Sequence, residues 1–141
     1  MLSAQASPTS HLKTKEDRLS AAAILNFFGM TEEWGIDSTD QIIILGPLPQ
    51  GCFQDMKNFA EGKHSEPAKL SKDTLERISY IMGIYKALNI LLPNARRAAE
   101  WIRKSNSAVL FDGKSALDLM LQGDTDDFAN IRRYLDAERG L

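Results

Sequence analysis

Helix-starting and helix-breaking residues recur along this chain at short intervals, and that punctuation limits the fold more than any other feature. Asp17, Ser38, Pro49, Ser71, Asn94, Ser115 and Thr125 stand where a polar cap or a fixed φ opens a helix. Gly35, Gly46, Gly62, Pro93, Gly123 and Gly140 stand where one stops. Between Asp17 and Gly35, Leu19, Ala22, Ala23 and Phe27 share one helical face, and the pattern carries on past Gly29 to Trp34. Ser38-Thr39-Asp40-Gln41 reads as a capping box. The Ile42 to Leu45 run behind it has strand propensity, but the box before it and Gly46-Pro47 after it favour a short helix. Pro49 suits the first turn of a helix from Gln50 to Ala60, with Phe53, Met56 and Phe59 or Ala60 inward.

After a polar linker from Lys63 to Lys69, Ser71 opens the longest helix, closed by Pro93. Leu75, Ile78, Met82, Tyr85 and Leu88 or Leu92 are its expected inner face. Such a helix spans roughly 30 Å, the width of a small domain, and is expected to be the central strut. Asn94 caps the next, with Ala98, Trp101 and Ile102 inward, and a loop follows containing Asn106-Ser107 and Asp112-Gly113. Ser115 caps a two-turn helix ending at Gly123. Acids at Asp126 and Asp127 suit the positive end of a last helix whose buried stripe is Phe128, Ile131 and Leu135. The expected fold class is all-α, with about seven helices.

At 141 residues and 43% hydrophobic content, the chain can bury a core of its own. No run reaches the ~18 apolar residues that span a bilayer. The polar start lacks a signal-peptide core, so residues 1–18 read as a disordered lead-in and the location as cytoplasmic. A lone Cys52 excludes an internal disulfide and reads as a small packed hydrophobe. With two histidines, His11 and His64, at unhelpful spacings, neither a zinc site nor a catalytic thiol is expected. No motif positions an acid–base pair or a nucleophile, and none of the glycines builds a phosphate loop, so no enzyme and no cofactor is expected. Trp34 and Trp101 read as core residues.

Charge is unevenly placed. Residues 1–68 carry five Lys/Arg against nine Asp/Glu, net −4, whereas 69–104 carry eight against three, net +5. Ser38 to Leu45, Gly46-Pro47-Leu48-Pro49 and Gln50 to Ala60 have the layout of a helix-turn-helix. On its second helix Gln50, Gln54 and Lys57 face outward. They either contact operator DNA, glutamine on adenine and lysine on phosphate, or lie on a plain surface. A second basic cluster, Arg96, Arg97, Arg103 and Lys104, serves DNA, a protein partner or solubility alone.

The order Arg77-Ile78-Ser79-Tyr80-Ile81-Met82-Gly83-Ile84-Tyr85-Lys86-Ala87-Leu88, Trp101-Ile102, Asn106, Phe111-Asp112-Gly113-Lys114-Ser115, Leu117-Asp118-Leu119-Met120, Gly123 and Ile131 to Gly140 resembles the Xre/MbcA/ParS family of type II antitoxins. The resemblance covers most of the chain from about Ala22 onward. Its motifs are specific in the C-terminal half and weak in the helix-turn-helix half. Two departures are visible: Ser105-Asn106 stands where the family has Pro-Asn, and Ser115-Ala116 where it has Ser-Pro. Both keep the cap and lose only a fixed φ.

The resemblance implies an Xre-like helix-turn-helix domain at 19–68 and a toxin-binding domain at 69–141. It also implies a cognate toxin of the RES type, which uses NAD, blocked by direct contact, and often repression of the antitoxin's own operon. Self-association is expected. The rival reading is a stand-alone helix-turn-helix regulator with a C-terminal dimerisation domain. Asn106, Arg132, Arg133, Tyr134, Asp136, Arg139, Gly140 and Leu141 are the expected toxin-binding residues. Arg132 and Arg133 are either a solvated face or a grip on acids and carbonyls at the toxin's mouth. Leu141 is the expected tip entering the NAD pocket. Deleting Tyr134 to Leu141 is expected to remove little of the core.

Overall fold

Seven helices make up the residues that the computed structural model describes, 11–122 and 124–140. In chain order they are α1 (Lys15–Glu33), α2 (Ser38–Leu45), α3 (Cys52–Ala60), α4 (Lys72–Leu91), α5 (Ala95–Arg103), α6 (Ala116–Met120) and α7 (Thr125–Glu138). The all-α expectation holds. Residues 1–10 of the expected lead-in, the Gly123 stop and Leu141 lie outside the described residues.

The rest of the lead-in is folded. Leu12 is buried, and His11 meets the Ser65 carbonyl at 2.7 Å. Thr14, not Asp17, is the cap of α1: its hydroxyl accepts the Asp17 N–H at 3.0 Å, leaving Asp17 in the acidic first turn. A smaller shift, of one residue, occurs at α2, where Asp37 and not Ser38 is the cap and accepts the Asp40 N–H. Gln41 therefore does not reach back to close a box. Its Nε2 instead donates to the buried Thr31 hydroxyl at 2.9 Å, tying α2 to α1. The Ile42 to Leu45 run is helical, with Ile44 and Leu45 inside and Ile42 and Ile43 exposed.

The turn after α2 is longer than expected. Gly51 caps α3 with φ +82°, a left-handed conformation that glycine adopts without a Cβ clash, so α3 starts at Cys52 and not at Gln50. Cys52, Met56 and Phe59 are buried, and Phe53 reaches Phe28 at 5.8 Å between centroids.

α4 is the central strut. Ser71 caps it by accepting the Thr74 N–H, and the helix ends ahead of Pro93. Its buried set is Thr74, Arg77, Ile78, Ile81, Ile84, Ala87 and Leu88. Met82 is exposed and Tyr85 half-buried, contrary to the single stripe expected. The reason is that α1 packs on one side of α4 and α7 on another. A helix flanked twice buries a wider arc than one amphipathic stripe.

One polar junction holds the two ends of the chain together. Arg77 is buried; its Nε pairs with Asp73 at 3.0 Å and its guanidinium lies 5.4 Å from the Phe128 ring of α7. Thr74 donates to the Leu45 carbonyl at 3.0 Å, and the Thr125 hydroxyl of α7 donates to Asp73. Thus α2, α4 and α7 meet at paired polar groups that run from the buried Arg77 and Thr74 out to the exposed Asp73. Arg103 of α5 makes a second tie, donating to the Trp34 and Gly35 carbonyls at 2.7 and 2.6 Å. A guanidinium on the open carbonyls at the end of α1 satisfies acceptors that the helix leaves free. Trp34 is buried as expected, whereas Trp101 is only half-buried.

Candidate partner-binding surface

α7 positions most of the expected partner-binding residues. Asp124 caps it by accepting the Asp126 N–H at 3.0 Å. Burial first, then the charges of Asp124 and Asp126, raise the Asp127 carboxyl above its ordinary value. Phe128, Ile131 and Leu135 are buried on one side, as expected, each contributing about 1.5–3 kcal/mol of apolar burial. Those three anchors fix which way the remaining side chains point.

On one flank, Arg132, Asp136 and Arg139 follow at helical spacing and form a chain of charge. Asp136 lies 3.7 Å from Arg132 Nε and 3.5 Å from Arg139 Nη1. Arg132 lies across Gly83 of α4, where a Cβ would sit 2.5 Å from its Nε and 2.6 Å from its Cδ. A glycine inside a long helix costs about 1 kcal/mol relative to alanine, so Gly83 trades helix stability for room that Arg132 occupies. Arg132 is thus neither a free solvated arginine nor a buried one. It lines a 380 Å³ pocket with Asn26, Met30, Ser79, Met82, Gly83 and Lys86.

On the other flank, Tyr134 packs edge-on against Phe111 at 5.1 Å, and Phe111 in turn packs against Trp101 at 5.8 Å. Burial above all pushes the Tyr134 pKa up, Glu138 raises it further and Asn106 opposes the rise. Asn106 holds its own loop, taking the Ala108 N–H at 2.8 Å and pairing backbone with Lys114 and Gly113. Asn106 and Tyr134, far apart in sequence, are therefore neighbours.

Arg133 points away from both flanks, and its Nη1 donates to Asn130 Oδ1 at 2.8 Å. Arg139 caps the helix, and Gly140 follows with φ +85°. The expected tip, Leu141, lies outside the described residues.

Sequence reasoning named Gly83 and Phe111 only as motif positions and gave no role to them or to Glu138. An isolated glycine inside a long helical pattern and a glutamate four residues after a tyrosine are the signals that mark two of them. The fully exposed Val109 beside Asn106 was missed as well.

The expected DNA-contacting residues are arranged differently. Gln50 sits in the turn, two residues before α3, so it does not share that helix's outer face. Gln54 donates to Asn58, and Lys57 is half-buried, 3.4 Å from the Ser38 hydroxyl and 5.9 Å from the Phe53 ring. In the basic cluster, Arg103 is engaged by carbonyls and Arg96 lies 4.0 Å from Glu100. Arg97, Lys104, Leu92 and Trp101 line an open cleft of about 360 Å³. Cys52 is buried and its thiol pKa is raised, first by burial and then by Asp55, which suits a packing role.

Among the described residues no three metal-binding side chains cluster, and no helix is long and apolar enough to cross a membrane. Residues 87–140, from the last turn of α4 through α7, match the antitoxin Xre/MbcA/ParS C-terminal toxin-binding domain. The chain is also similar to the uncharacterized protein y4oB of Sinorhizobium fredii (strain NBRC 101917 / NGR234), 42% identical over 114 residues, or 81% of each chain. With its toxin-binding domain formed by the end of α4, the α5 to α6 segment and α7, the chain belongs to the Xre/MbcA/ParS antitoxin family.

Proposed function

We propose that this antitoxin neutralises an NAD-using toxin of the RES type by steric blockade, seating the C-terminal part of α7 over the mouth of the toxin's NAD pocket. The observation that carries the reading is the arrangement at the end of the toxin-binding domain. There Asp136 lies between Arg132 and Arg139, Arg132 is braced on Gly83, and Arg133 points outward. Side chains already held in place lose less entropy on docking than free ones. Arginine's planar fork is suited to carboxylates and carbonyls at the rim of a pocket. Tyr134 adds a rigid aromatic edge, held against Phe111 and near Asn106. No step of bond chemistry is assigned to the antitoxin itself.

The test is co-expression with the toxin of the neighbouring reading frame, paired with titration of the chain into purified toxin while NAD turnover is followed. Growth should be rescued and turnover should fall to completion at a fixed stoichiometry. Arrested growth with both proteins soluble and abundant would remove the reading. It would favour the rival, a helix-turn-helix regulator without a toxin.

A further inference from the structure

The cations of α5 differ in what they already hold. Arg103 is engaged by the carbonyls at the end of α1, and Arg96 leans toward Glu100. Arg97 and Lys104 are exposed and have no ion partner among the described residues. Both line the open cleft of about 360 Å³ whose other walls are Leu92, Glu100 and the half-buried Trp101 ring. Arg97 stands in the first turn of α5, where the positive end of the helix disfavours a cation and where the chain places no acid. Departures of this kind from local preference gather at functional surfaces. The cleft also connects to α7. Trp101 packs edge-on against Phe111, and Phe111 edge-on against Tyr134. Phe111 is fully buried, whereas Trp101 and Tyr134 each keep part of their surface exposed. The α5 cleft is thus one end of a row of rings whose other end is on α7.

We infer that this cleft is a second docking point for the toxin and receives an acidic segment that carries an apolar side chain. Its carboxylates meet Arg97 and Lys104, and its apolar group lies on Leu92 and Trp101. The inference rests on the toxin partner of the reading above, not on blockade of the NAD pocket. All four residues fall within the matched toxin-binding domain, so the cleft continues the surface that the family uses for its partner. The guanidinium of Arg97 offers a planar fork to a carboxylate, and Lys104 a mobile point charge. The positive end of α5 adds a field of the same sign. Glu100, the acid on the wall, repels carboxylates at its own position and confines them to the Arg97 and Lys104 sides. A nucleic-acid backbone suits the cleft less well. It would run its phosphates past Glu100, and it needs a longer basic track than two free cations supply. Charge and apolar surface therefore select an acidic peptide.

Calorimetric titration of the full chain into purified toxin, at low and at physiological salt, tests this, with NAD turnover followed in parallel. Arg97→Glu and Lys104→Glu should each weaken binding about tenfold at low salt, and the loss should shrink as salt rises. Lys15→Glu makes the same change of charge outside the matched domain and should leave affinity within about twofold of native. All three side chains are exposed, so circular dichroism should not change. Reversals that bind toxin as the native chain does would overturn the inference and leave the NAD-pocket reading standing. Conversely, a native chain that binds without slowing NAD turnover, and is weakened by both reversals, would remove that reading and support this one. Reversals that abolish an operator gel shift while sparing toxin affinity would make the cleft a nucleic-acid contact and overturn the inference too.

Discussion

Gly83 and Arg132 show how one missing side chain serves a distant one. A Gly83→Ala substitution gains about 1 kcal/mol of helix propensity and displaces a flexible arginine. Thermal stability should therefore stay within about 1 kcal/mol of native, while toxin affinity falls on the order of tenfold as Arg132 loses its seat. Unfolding and binding titrations separate the two effects; unchanged affinity would mean Arg132 is idle. Asp73 gives a test in pH. The Thr125 hydroxyl, chiefly, and Arg77 hold its carboxyl below the ordinary value, against a smaller opposing effect of burial. A depressed folded pKa adds stability above the unfolded value, about 4, and that stability is lost as pH falls through the folded value. Asp73→Asn should accordingly be less stable than native at neutral pH. The gap should close below about pH 4 in urea titrations.

Among elements, α7 carries part of the core and, in the proposed reading, the recognition surface, and the two roles divide along its length. The expectation that residues from Tyr134 onward are dispensable to the core does not hold, because Leu135 is buried and Tyr134 packs on Phe111. Losing Leu135 alone costs about 2–5 kcal/mol. A chain ending at Ala137 keeps both and removes Arg139. It should remain folded by circular dichroism but need more protein to inhibit NAD turnover. An unchanged midpoint would place the blockade elsewhere on the domain. α5 has the opposite character. Arg103 clasps the end of α1, so Arg103→Ala should cost about 1–3 kcal/mol and speed amide exchange in α5. Arg97→Ala, which breaks no such tie, should do neither.

At the scale of the whole molecule, α4 joins the α1 to α3 half to the toxin-binding half through one continuous core, with Arg77 and Arg103 as its polar ties. The acidic half is poorly equipped to hold DNA by itself, since Lys57 is the one cation of α3 and is half-buried against Phe53. Phosphate contacts supply much of DNA affinity and its salt dependence. Binding to the upstream operator should therefore need a dimer or the toxin-bound assembly, and a gel shift should weaken steeply between low and physiological salt. Tight binding by a demonstrated monomer would contradict this.

Much of the architecture is local and was legible in the chain: the helix count, the Ser71, Asn94 and Ser115 caps, and the Phe128, Ile131, Leu135 stripe. These depend on side chains bonding or packing within a turn or two of their own position. The resemblance likewise pointed to the toxin-binding family from residues alone. What local pattern did not settle was every feature that needs a second helix. Asp37 took the cap while Gln41 bonded across to Thr31, and α4 buried a wider arc because α1 and α7 flank it. Gly83 was kept open for an arginine from another helix, and Arg103 left the basic cluster for the carbonyls of α1. In each case a buried polar group or a shared face had to be satisfied across the fold, and only tertiary packing decides which partner does so.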